Sequence, residues 1–188
     1  DKDAKSYGEI QAWNVNTGKK EWTHLYPVRN WGSLLSTGGG LVKTGPGSLN
    51  LTAANTYTGG TTVTGGAVTA TLPLTSSVGP MSITNAGSSL TAPSIAPSSL
   101  TIGAGASAKL TNIDYVGSFA GRSTAGTLAN TGLLDVNTTG IVIASAVEAD
   151  VRAQIISGRN SGTWTGTTGI TSSAAIADPA KRAAGYNV

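Results

Sequence analysis

Cysteine is absent from the 188 residues, which excludes disulfide staples and thiolate chemistry. Charge is scarce, at 11% of the chain, and no charged residue occurs from Thr44 to Ala108. Nucleic-acid binding needs Lys and Arg gathered on one face, so nucleic acid is excluded as a partner of that stretch. The net charge of +3 is too small an excess to imply an anionic membrane surface. Aromatic residues make up 5%, and there is one His. No run has the length and apolarity of a membrane span. No C-terminal set of alternating strands of the outer-membrane barrel kind occurs either. The chain starts at Asp1 without Met or signal-peptide regions, and the expectation is a mature or trimmed product.

What is abundant is small and polar. Glycine numbers 26, and Ser plus Thr supply roughly a quarter of the residues, well above average usage. This composition suits strands and turns. It divides the chain into three expected zones: a strand extension over 1–42, a nearly uncharged stack over 43–145, and a terminal cap over 146–188.

The stretch from Gly47 to Val68 carries the clearest pattern. Leu49 and Leu51 alternate with polar residues, Asn55-Thr56-Tyr57-Thr58-Gly59-Gly60 makes a corner, and Val63 opens a second alternation that ends at Gly65. Two short strands around a glycine-rich turn follow from this. Further short strands are expected at Ala67–Leu72, Met81–Thr84, Ser89–Ala92, Ser99–Ile102, Ala108–Ile113, Thr127–Ala129, Leu133–Val136 and Ile141–Ala144. One such rung cannot bury its own apolar side, so the rungs must stack. A repeat of about 20 residues gives roughly five coils, on the order of 25 Å tall at ~4.8 Å per paired strand. Close stacking also disfavours charge, because like charges would lie directly above one another.

The Gly47–Val68 stretch closely resembles the autotransporter-associated β-strand repeat of large bacterial surface proteins. The resemblance implies a right-handed parallel β-helix and an extracellular or bacterial cell-surface location. The fold expected is therefore all-β: a parallel β-helix with an N-terminal hairpin and a small helix-containing cap. An antiparallel β-sandwich is the alternative.

The first zone reads as a hairpin, with strands at Glu9–Trp13 and Lys19–Leu25 around Asn16-Thr17-Gly18. Ala12, Trp13, Thr17, Gly18 and Trp22 resemble the docking motif of quinoprotein alcohol dehydrogenase propeller blades, with Asn14 where that family has Asp. Trp31 would begin the next blade. One blade cannot supply the family's cofactor site, so these residues are assigned to packing. Alone, its strands would leave open edges, and pairing with another subunit would join copies of the chain.

In the third zone, Val147, Val151, Ile155 and Ile156 recur at helical spacing, with Ser157-Gly158 as the stop. Trp164 and Ile170 follow in a segment that resembles one found after such repeats, and are assigned to the cap. Ala180–Ala184 could add a further helical turn.

No residue is assigned a catalytic, cofactor-binding or metal role. His24 has no Ser/Asp constellation around it and reads as an exposed strand residue. Asp114 and Asp135, with Arg122 between them, fit turn capping better than a carboxylate pair or metal site. Asn50 and Asn137 begin acceptor patterns for N-glycosylation, as a Thr-rich chain produces by chance. The function expected is non-catalytic: a structural or adhesive surface protein, self-associating into an oligomer or fibre. A glycan-binding module that stacks surface sugars on exposed Trp, a carbohydrate-active β-helix and a quinoprotein fragment are the alternatives.

Overall fold

The computed structural model describes residues 8–14, 17–26, 34–37, 39–112 and 122–178. It opens on an antiparallel hairpin, β1 (Gly8–Asn14) and β2 (Lys19–Tyr26), with a bulge between Ala12 and Trp13. Gly18, at φ 65, turns the chain between them. The strands that follow are short: β3 (Leu34–Thr37), β4 (Gly40–Lys43), β5 (Ser48–Leu51), β6 (Thr61–Val63), β7 (Ala67–Ala70), β8 (Met81–Ile83), β9 (Ser89–Ala92) and β10 (Ser99–Ile102). After them come β11 (Ser107–Leu110), β12 (Ser123–Ala125), β13 (Thr127–Asn130), β14 (Leu133–Asp135) and β15 (Ile141–Ile143). Helix α1 (Glu148–Arg159), strand β16 (Gly169–Thr171) and helix α2 (Ser173–Ala177) end the described chain.

Two six-stranded sheets organise these strands. One has the order β13-β10-β8-β6-β4-β3, the other β16-β14-β11-β9-β7-β5. All their pairings are parallel except β3 with β4. A third parallel row joins β12 to β15 and begins with the bridge between Leu74 and Ile95. The chain visits these rows in turn. That connectivity is consistent with a parallel β-helix, and the antiparallel sandwich is not what the pairing follows. Antiparallel pairing is confined to β1–β2 and β3–β4 among the described residues.

Registration converts sequence alternation into columns. In the first sheet Leu41, Thr61, Met81, Leu100 and Leu128 lie one above another, and so do Lys43, Val63, Ile83, Ile102 and Asn130. In the second, Leu49, Val68, Leu90, Ala108, Leu134 and Ile170 form the inner column. Val63, Ile83, Leu100, Ile102 and Leu134 are fully buried, each worth about 1.5–3 kcal/mol of transfer free energy. Leu49, Leu51, Leu128 and Ile141 pack on this core while staying partly exposed. The division expected at residue 42 falls inside β4, whose partner is β6, and β16 extends the β14 row beyond residue 146.

The helix departs from its expected boundaries. It runs to Arg159, and Asn160, left-handed at φ 42, caps it. Gly158 is therefore not the stop. It is buried within α1, and a Cβ there would overlap the Ile170 carbonyl oxygen. Gly166 and Gly169 meet the same helix as closely, against Ser157 and Gln154 oxygens. Glycine here permits helix-to-strand contact, which sequence alone does not distinguish from a terminating glycine. Of the expected apolar positions, Val151 and Ile155 touch the core, whereas Val147 and Ile156 are 64% and 62% exposed. Strands β12 and β16 and helix α2 were not anticipated. Ile113, Asp114, Trp31 and Ala180–Ala184 lie outside the described residues.

Candidate functional site

The repeat motif is built from close backbone contact and a chain of hydroxyls. Gly39, Gly59 and Gly79 recur every 20 residues and stack at one corner. A Cβ on Gly59 would lie 2.7 Å from the Gly39 carbonyl, and one on Gly79 would strike Gly60. At the next corner Gly66, at φ 67, meets the Gly47 oxygen in the same manner. Thr61 occupies an inward position and is fully buried. Its hydroxyl lies 3.1 Å from the Tyr57 hydroxyl and 3.2 Å from that of Ser77, which donates to the Gly59 carbonyl at 2.8 Å. Each hydroxyl has one proton. With Ser77 committed to Gly59, Thr61 donates to Ser77 and Tyr57 donates to Thr61. Asn55 donates to the Ala53 carbonyl at 3.2 Å. Thus Tyr57, Gly59 and Gly60 belong together because one satisfies a buried hydroxyl and the others admit the neighbouring coil.

Polar side chains mark both ends of an inner column. Lys43 is 2% exposed, and its ammonium donates to the carbonyls of Thr44, Gly45 and Gly65 at 2.7, 2.8 and 3.0 Å. Burial holds its pKa below the ordinary lysine value. At the far end, Asn130 donates to Gln154 Oε1 at 2.9 Å and to the Gly169 carbonyl at 3.0 Å. Gln154 returns a 2.7 Å bond to the Asn130 carbonyl. These amides line an open cleft of about 490 Å³ between β13 and α1. Asn130 commits both amide protons and its Oδ1, which accepts the Gly132 N–H at 3.1 Å, within the fold, and the Ser157 and Thr168 hydroxyls lie 2.8 Å apart. The sequence contained these residues without a local signal that they would meet.

Asp135 lies in an outward column of the second sheet, directly in register with Lys109. Their charged groups are 3.3 Å apart. One carboxylate oxygen also accepts the backbone N–H groups of Asn137 and Ser173, at 2.9 and 2.8 Å. Ser173 Oγ accepts from Lys109 at 3.1 Å and donates to Asn137 Oδ1 at 3.1 Å. This clasp holds the start of α2 to the sheet. Arg122 immediately precedes β12. His24 falls in β2, paired with Ile10, and Trp13 and Trp22 fall in the same hairpin, at positions paired with Lys20 and Ala12. Trp164 is 1% exposed at φ 60, its carbonyl accepts from Thr171 at 2.8 Å, and Ile170 pairs with Leu134 in the sheet. Among the described residues no three His, Cys, Asp or Glu side chains gather as metal ligands.

Residues 41–70 match the family described as passenger-associated-transport-repeat. The match spans β4 to β7, including Tyr57, Gly59, Thr61 and Gly66 of the corners and hydroxyl chain, and it supports the autotransporter-associated repeat. A repeat of this kind points to a surface or extracellular protein. The propeller-blade resemblance over residues 8–42 gains no support. No curated protein and no solved structure matches the chain. No helix among the described residues is long and apolar enough to cross a membrane.

Proposed function

We propose that this chain is a non-catalytic segment of a surface-displayed bacterial passenger, in which a right-handed parallel β-helix serves as a structural or adhesive stalk. The observation that carries this reading is the in-register parallel pairing that starts in the family-matched residues 41–70 and continues through Leu134 and Ile170. A stalk of this kind needs no binding energy from a partner to keep its shape, because each coil buries the apolar side of its neighbour. Its outer face offers Asn50, Thr69 and Thr91 in one column, suited to many weak polar contacts. The commitment of Asp135 to Lys109 and two backbone N–H groups favours a structural over a catalytic role for that carboxylate. Strand addition at open sheet edges is the route by which copies would join.

Surface display is tested on intact cells producing the parent protein. An antibody against the 41–178 region should label unpermeabilised cells, and external protease should remove the label. Labelling only after permeabilisation would overturn the assignment.

A further inference from the structure

We infer that the open edge of β15 is a self-pairing interface that joins two copies of this chain as a closed, twofold dimer. The inference deepens the strand-addition reading and does not depend on surface display. Among the described residues β15 pairs with β12 alone. The Ala144 N–H donates to the Ala125 carbonyl at 2.9 Å, so Val142, two residues earlier, also directs its backbone groups at β12. Alternation along a parallel strand then leaves the N–H and C=O of Ile141 and Ile143 on the open edge. Val142 is 50% exposed and Val147 64%. No charged residue occurs from Val136 to Val147, so a lysine, a proline and an inward charge, three of the guards against edge pairing, are absent from this three-residue strand.

The Ile141-Val142-Ile143 edge is complementary to itself. Set antiparallel about a twofold axis through Val142, each Ile141 faces Ile143 of the second copy as a hydrogen-bonded pair. The two Val142 side chains then meet in the close, non-hydrogen-bonded position. A copy of this edge matches its backbone spacing and its apolar surface together, whereas a charged strand would fail the second and a proline-bearing strand, lacking an N–H, the first. Because the same patch serves both partners, the contact closes at two copies and does not propagate. The edge of β5 is a poorer candidate: Pro46 precedes it and the exposed Asn50 sits at its centre.

Sedimentation of the purified full chain over a range of concentrations tests this. Reversible monomer–dimer behaviour is expected, weakened at least about tenfold by Val142→Lys and unchanged by Asn50→Lys on β5. Because the chain has no Cys, Val142→Cys provides an independent readout that keeps the wild-type strand: mild oxidation should yield a covalent dimer. A wild type that stays monomeric, assemblies that keep growing with concentration, or a dimer that survives Val142→Lys and fails to cross-link at Cys would each overturn the proposal. None of these results bears on surface display.

Discussion

The coils of residues 41–110 and the segment from Ala125 to Ala177 solve the same problem by different means. In the first, successive strands repeat at near-constant spacing: Leu41, Thr61, Met81 and Leu100 are in register, at steps of 20, 20 and 19 residues. Shape does nearly all the work there, through glycine corners and columns that carry no charge between Thr44 and Ala108. In the second, the steps lengthen, from Leu100 to Leu128 and from Leu134 to Ile170. Specific polar bonds take over: Asp135 with Lys109, Asn130 with Gln154, and Ser172 donating to the Asn137 carbonyl at 2.6 Å. A repeating unit must be compatible with copies of itself, so it excludes charge. The segment from Ala125 onward is not a copy of its neighbours, so it can use charge and amide pairs.

The largest effect that would break this comparison lies at the corners. Gly66→Ala places a Cβ into the Gly47 oxygen at a left-handed φ of 67. Overpacking and the conformational penalty together should cost about 2–5 kcal/mol. Gly87→Ala has a similar φ of 83 but open space around it, so only about 1–2 kcal/mol is expected. Thermal melts of the two variants separate the contributions. Equal losses would mean that the corners are set by backbone conformation, with coil-to-coil contact contributing little.

The clasp should respond more modestly, and only at its own end. Asp135→Ala removes the acceptor for the Asn137 and Ser173 N–H groups and the partner of Lys109. A loss of about 1–3 kcal/mol follows from stranding those donors. Asp135→Asn keeps one acceptor oxygen and should recover much of it. Hydrogen exchange should locate the change in residues 133–177 and leave β4 to β9 protected. Deprotection spread evenly over both regions would erase the distinction between them.

Legibility in the sequence follows the same divide. Strands β5 to β11 were readable because alternation of Leu, Val and Ile with Thr or Ser is a local signal, and a 20-residue period repeats it. Val63, Val68, Ile83 and Leu90 fall on the buried positions of that alternation. Lys43 and Thr61 were not readable, since an inward lysine or threonine looks like an outward one until its acceptors are placed. Gly158 was misread for a related reason: its neighbour, Ile170, is twelve residues away and only folding brings them together. Strand β16 was missed because Gly169-Ile170-Thr171 is too short to alternate, and its partner β14 lies beyond an intervening helix. The Asp135 clasp was half readable: a capping carboxylate could be expected, its register with Lys109 could not.

The smallest effect sharpens the contrast at the opening coil, the one place where the repeat region carries a charge inside. Burial lowers the Lys43 pKa from its ordinary value of 10.5. The folded state therefore releases its proton at a lower pH than the unfolded chain does. Between the two values the unfolded chain binds more protons, so stability rises with pH. Below the lowered value the cost of burying the ammonium is present in full. It disappears as pH climbs through that value towards 10.5. Comparing wild type with Lys43→Met cancels every other titrating group. The stability difference should be flat at neutral pH and shift in favour of wild type on the alkaline side, as the buried charge is relieved. A shift in the opposite direction would mean that the carbonyls of Thr44, Gly45 and Gly65 stabilise the ammonium by more than desolvation costs it. The charge would then strengthen the first coil, and the uncharged composition of the others would need a reason beyond stacking.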